Sequence, residues 1–191
     1  MSKIHLQTPF CEINIIDEGM IGYAVATRLV QYSKKWLLSE EEDCELGSHY
    51  GVTSDTKDGR RFSCLLLSSG VGCYVNESSA VAISDTIYIA SRKQICSLRL
   101  PVLDPAWHKE VDMGTCLGVY YSKEYKCLTS QGEQDVARLS LNGEIVWSVS
   151  GKDVFSEGFA LYGDHIEVID FGKKRYHINI VDGFIALVEN Q

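Results

Sequence analysis

LGVYYSKEYKCLTSQGEQDVARLSLNGEIVWSVSG, residues 117–151, decides the fold. It contains four short runs rich in Val, Tyr, Leu and Ile, separated by a few turn-forming residues, with apolar and polar side chains alternating inside each run. A period of two marks a strand with its two faces in different surroundings. Asn142-Gly143 stands between the last two runs, and this dipeptide favours the left-handed backbone of a two-residue hairpin turn. The segment reads as strand, turn, strand, hairpin, strand, turn, strand.

The same pattern lies on either side. Residues 80–112, AVAISDTIYIASRKQICSLRLPVLDPAWHKEVD, predict strands over 80–84, 86–91, 94–100 and 106–111, and residues 158–189, GFALYGDHIEVIDFGKKRYHINIVDGFIALVE, predict another set of four. Trp107, Trp147 and Leu187 fall 40 residues apart in the fourth strands, and Asp182-Gly183 repeats Asn142-Gly143 at that interval. Asp104-Pro105 takes the corner in the first copy, keeping a turn of a different type. A four-stranded meander cannot bury both its faces alone, so such units stack and share cores.

With its blade length and its NGEIVW corner around Trp147, the text over 80–189 resembles the blades of a β-propeller, of the PQQ-like and WD-repeat kind. The Gly-His and Trp-Asp dipeptides of WD repeats are absent. The resemblance implies an all-β assembly of repeated antiparallel meanders, with a binding face and no fixed activity. Dividing 191 residues by roughly 38 per blade gives five, and four or five blades are expected in a single domain over 1–191.

The first 79 residues are less regular: one or two degenerate blades, or a helix-capped extension. IHLQT, FCEINII, RFSCLLL and GCYVNE predict strands and Asp58-Gly59 a turn. Ile21, Val25, Leu29, Tyr32 and Trp36 have helical spacing, while Tyr23, Val25, Thr27 and Leu29 alternate as a strand would. The two periods fit equally well.

Eighteen Lys and Arg against 26 Asp and Glu leave a net charge of −8, which disfavours nucleic acid and anionic membrane surfaces and favours a basic partner. The N-terminus lacks the apolar core of a secretory signal, and no run approaches the length of a membrane span. Seven cysteines, an odd number without regular spacing, fit a reducing cytoplasm and small buried hydrophobes; Cys96 shares a strand face with Leu98, and Cys64 with Phe62 and Leu66.

The densest polar feature is SEEEDCE, where Glu40, Glu41, Glu42, Asp43 and Glu45 place five carboxylates within six positions. It lacks the alternating ligands and Gly bend of a calcium loop, and reads either as a solvated loop or as the partner-binding site, an acidic face mimicking a polyanion. No histidine or cysteine pair has metal-ligand spacing, and the twelve residues between His165 and His177 decide nothing. No nucleophile elbow or complete phosphate-binding fingerprint is present: GVGCYV from Gly70 reads as a hairpin turn. Arg60-Arg61 and Lys173-Lys174-Arg175 sit at predicted hairpin corners.

No catalytic residue, cofactor or metal is therefore expected. The leading expectation is a non-enzymatic cytoplasmic protein-binding module, in its sharpest form an immunity or inhibitor protein that neutralises a basic toxin such as a nuclease. The alternatives are a carbohydrate- or small-molecule-binding propeller using its tryptophans as platforms, and a scaffold subunit of a larger complex.

Overall fold

A computed structural model of the chain describes residues 2–20, 31–38, 48–68 and 74–188. These residues form seventeen strands in four antiparallel-dominated sheets, and none of them is helical. No helix among them is long and apolar enough to cross a membrane.

Three sheets are simple meanders at the predicted places. Sheet II is β6 (Ala80–Ile83), β7 (Thr86–Ser91), β8 (Gln94–Arg99) and β9 (Asp104–Glu110). Sheet III is β10 (Cys116–Ser122), β11 (Cys127–Gly132), β12 (Asp135–Leu139) and β13 (Ile145–Ser150), and sheet IV is β14 (Gly158–Leu161), β15 (His165–Ile169), β16 (Arg175–Asn179) and β17 (Ile185–Val188). The fold is all-β and propeller-like, with sheets II, III and IV as its repeated four-stranded blades.

The N-terminal part makes one larger sheet. Sheet I comprises β1 (Lys3–Gln7), β2 (Cys11–Met20), β3 (Lys34–Leu37), β4 (Ser48–Thr56) and β5 (Arg61–Leu67), in the order β1-β2-β4-β5-β3 with β3 parallel to β5. Trp36 thus lies on a strand, while residues 21–30, where the helical and alternating patterns compete, lie outside the described residues. The glycine- and serine-bearing text of β4 hid a strand that pairs along its length with both β2 and β5. GCYVNE, predicted as a strand, is not one over 74–77, where the chain leads into a turn held by Asn76 N–H to Ser79 Oγ at 2.9 Å.

Successive sheets share apolar cores. Ile13, Ile15, Val52 and Leu66 of sheet I pack with Ile87, Ile89, Cys96 and Leu98 of sheet II. Tyr88, Ala90 and Ile95 on the opposite face of sheet II meet Val119, Leu128, Ala137 and Leu139 of sheet III. Val136 and Phe155 then meet Ile166, Val168, Tyr176 and Ile178 of sheet IV. Inner strands such as β7 and β8 are buried on both faces, which is why TIYIAS and QICSLR carry few charges, whereas the outer strands β9 and β13 are largely exposed.

The two tryptophans make the same joint twice. Trp107 Nε1–H donates to Leu141 O, and Trp147 Nε1–H to Ile180 O, both at 3.1 Å in the corner of the following sheet. A second donor joins each: Tyr88 Oη–H reaches Leu141 O at 3.2 Å, and Arg138 Nη1–H reaches Ile180 O at 3.0 Å. The corner glycines lie against the indoles, so that a Cβ on Gly143 would come within 2.6 Å of Trp107 and one on Gly183 within 2.9 Å of Trp147. Both have positive φ, +85° and +75°, the conformation that Asx-Gly supplies.

Three details of the repeat differ from the sequence reading. The Asx-Gly corners are longer than two residues, closing through Ser140 N–H to Glu144 O and Asn179 N–H to Phe184 O, both at 2.9 Å. Asp104 and Pro105 belong to β9, opposite Arg99 and Leu98; the corner lies earlier, where buried Leu100 and Leu103 anchor it in the first core. Pro105 is tolerated because β9 is an outer strand that need not donate on its free side. Leu187 is not the third member of the tryptophan series: a one-residue bulge precedes Trp107 and Trp147 but not the matching place in β17, so Ala186 faces His177 there. Leu187 is 54% exposed.

Candidate protein-docking face

The connections between sheets and the β7–β8, β11–β12 and β15–β16 turns lie together at one end of the strands. Backbone bonds run between them: Cys116 N–H to Arg92 O, Glu133 N–H to Thr115 O at 2.9 Å, Phe155 N–H to Glu133 O at 2.6 Å and Phe171 N–H to Val154 O at 2.8 Å. Asp112 stiffens this end. Its buried carboxylate accepts from Gly114 N–H at 2.6 Å, Gln134 N–H at 2.9 Å and Asp135 N–H at 2.7 Å, tying the sheet II–III connection to the turn of sheet III. Burial nevertheless holds its pKa above the usual carboxylate value, against the lowering effect of those N–H groups.

The connections also project apolar side chains into solvent. Tyr74 and Met113 are each 80% exposed, Phe171 is 65% exposed, and Val154 is exposed beside Phe171. Met113 stands on the lining of a cleft of about 710 Å³ between the outer parts of sheets II and III. Leu38, Val111 and Ile145 supply its apolar lining, and Lys93, Gln94, His108, Lys109, Glu110 and Asp135 its polar lining. Gln94 is pinned, with Nε2–H donating to Leu38 O at 2.7 Å and Oε1 2.8 Å from His108 Nδ1, while the His108 ring stands edge-on to Trp36 at 5.5 Å. Lys93 pairs with Glu110. The lining is thus organised and carries both charges.

Glu40, Glu41, Glu42, Asp43 and Glu45, the partner-binding residues expected from sequence, lie outside the described residues, as do Cys44, Cys73 and the glycines of GVGCYV. Leu38, two positions before Glu40, is buried and lines the cleft. The apolar row was missed because single exposed residues in turn-like text carry no periodic signal; the 39 and 41 positions separating Tyr74, Met113 and Val154 match the blade length and could have found it.

The remaining sequence candidates have structural partners. Arg60 pairs with Asp58 at 2.8 Å, Arg61 with Asp55 at 3.0 Å, Lys173 with Glu157 and Arg175 with Glu167 at 3.0 Å. His5 meets Asn14 at 3.1 Å, and His49 is buried with Nδ1 3.4 Å from Gly19 O. Cys64 and Cys96 are buried on the faces expected; burial pushes the Cys64 thiol up to about 11 and the Cys96 thiol higher. Such thiols are poor nucleophiles. Trp36, Trp107 and Trp147 are each part-buried and packed against a core.

No protein-family model and no curated protein matches the chain. Among solved structures it is similar to the WD40 domain of Neurospora crassa Pan2, at 16% identity and a TM-score of 0.48 over 60% of this chain and 38% of that one. It is also similar to BamB from Moraxella catarrhalis, at 13% identity and a TM-score of 0.48 over 73% of this chain and 49% of that one. The chain spans less than half the length of either. Likeness at this level carries no functional argument.

Proposed function

We propose that the protein is a non-enzymatic protein-binding module whose partner docks on the connection face, around the cleft between sheets II and III. The observation that carries this reading is Met113, 80% exposed on the lining of that cleft and in sequence step with the exposed Tyr74 and Val154. Exposed apolar side chains held on stiff connections and rimmed by charge are the usual anatomy of a protein contact. The finer reading is an inhibitor of a basic protein toxin, supported by the net charge of −8 and by the carboxylate run that begins two residues after cleft-lining Leu38.

A photoreactive amino acid at Met113, introduced in the protein's own cell, tests the docking face. A discrete adduct from position 113, absent from position 181 at the other end of the strands, is the expected result. Identical adducts from both positions, or none from 113, sink the reading. If the captured protein is basic, replacing the five carboxylates of residues 40–45 by their amides weakens binding and flattens its salt dependence under the finer reading; unchanged binding removes the toxin-inhibitor form alone.

A further inference from the structure

Sheet IV turns one face to sheet III and the other away from it. Ile166 and Val168 on β15, with Tyr176 and Ile178 on β16, fill the shared core, so His165, Glu167, Arg175 and His177 stand on the opposite face by strand alternation. The register sets Glu167 opposite His177 and His165 opposite Asn179, making the two histidines diagonal neighbours. Their ring centroids are 4.6 Å apart, and Tyr162 stacks on His165 at 4.8 Å. The side chains of His165 and His177 are 30% and 37% exposed.

Each imidazole has a carboxylate on one nitrogen. His165 Nδ1 is 2.7 Å from Asp164 and His177 Nε2 is 3.0 Å from Glu167. An ionised carboxylate only accepts, so in the neutral rings these nitrogens carry the protons, and the lone pairs fall on Nε2 of His165 and Nδ1 of His177. A carboxylate behind the ring, fixing tautomer and orientation, is the arrangement found behind metal-ligating histidines.

We propose that His165 and His177 form a two-histidine site for a borderline divalent transition-metal ion, Cu²⁺, Ni²⁺ or Zn²⁺, with water completing its coordination. Metal–nitrogen bonds of about 2.0–2.1 Å in a tetrahedral site set the two nitrogens roughly 3.4 Å apart, a separation open to rings in direct contact. Among the described residues no three His, Cys, Asp or Glu side chains converge as a ready-made ligand set, which is why water is needed here. Imidazole selects these ions over Mg²⁺ and Ca²⁺, which prefer oxygen ligands. Arg175 stays at the site's edge, because its Nη1 is held by both oxygens of Glu167 at 3.1 and 3.0 Å.

Titrating Cu²⁺, Ni²⁺ and Zn²⁺ separately into the full, untagged chain at pH 7.5 by calorimetry tests the site. One ion per chain is expected, with Cu²⁺ tightest. His165→Gln and His177→Gln each lower affinity at least tenfold, and Glu167→Gln lowers it by about 10–100-fold, whereas His5→Gln, on sheet I, leaves it unchanged. Wild-type affinity in both sheet IV histidine variants overturns the proposal, as does the absence of binding to the wild type. Should those variants fail to fold, nuclear magnetic resonance of the wild type decides: substoichiometric Cu²⁺ broadens signals around Tyr162, His165, His177 and Ala186, and broadening centred on another sheet overturns the site.

Discussion

Trp147 is half-buried on its own sheet and bonded to the next, so it acts as a joint between two repeats rather than as filling for one. Trp147→Ala removes both the ring and the bond, and should lower stability by about 3 kcal/mol, the low end of the range for large-to-small aromatic changes because the indole is only part-buried. Trp147→Phe keeps most of the apolar area and loses mainly the N–H to Ile180 O, a cost of about 1 kcal/mol. Gly143→Ala tests the opposite side of the equivalent joint, where φ of +85° and the 2.6 Å approach to Trp107 both oppose a side chain. It should cost more than about 1 kcal/mol. Chemical denaturation measures all three, and a Gly143→Ala protein as stable as the parent contradicts the joint.

At the scale of the strand, burial separates inner from outer elements. On β5 and β8, Cys64 and Cys96 point into the first core at no measurable exposure, with their thiols held above their usual pKa by burial. A thiol reagent at pH 8 should leave both unmodified in the native chain and modify them at the rate of unfolding, read by mass spectrometry of labelled peptides. Rapid labelling of Cys96 in the folded protein would mean that sheets I and II do not share a core. These two strands were legible from sequence because alternating faces placed each cysteine beside Leu or Phe. β4 was not, since its glycine, serine and threonine residues acquire strand character from pairing with β2 and β5.

Across the whole molecule, carboxylates set the response to acid. Burial tends to raise the pKa of Asp170, but hydrogen bonds from Tyr176 and from Lys174 N–H outweigh it and the group is held below the usual value. Glu157 is held low mainly by Lys173, and Asp164 mainly by its bond to His165. A group with a lower pKa in the folded state favours folding above the ordinary carboxylate value near 4 and loses that contribution as pH falls through its folded value. Asp112 has the opposite sign: its raised pKa makes its contribution shrink as pH rises through 4 toward its folded value. The denaturation midpoint should therefore be level from about pH 6 to 8 and decline below about 4. Asp170→Asn should flatten that decline. A decline just as steep in Asp170→Asn would show that Asp170 does not contribute to it.

The sequence by itself determined the class and count of the C-terminal repeats, because alternation and Asx-Gly corners are local properties: a strand needs a period of two, and a left-handed turn needs glycine or Asx wherever it occurs. Register, however, is set by pairing. The lack in β17 of the bulge found in β9 and β13 puts Ala186 rather than Leu187 at the tryptophan place, and the burial of Leu100 and Leu103 moved a corner away from Asp104-Pro105. The contact between His165 and His177 arises from residues that meet only after β15 and β16 pair. Their spacing along the chain says little about distances across it.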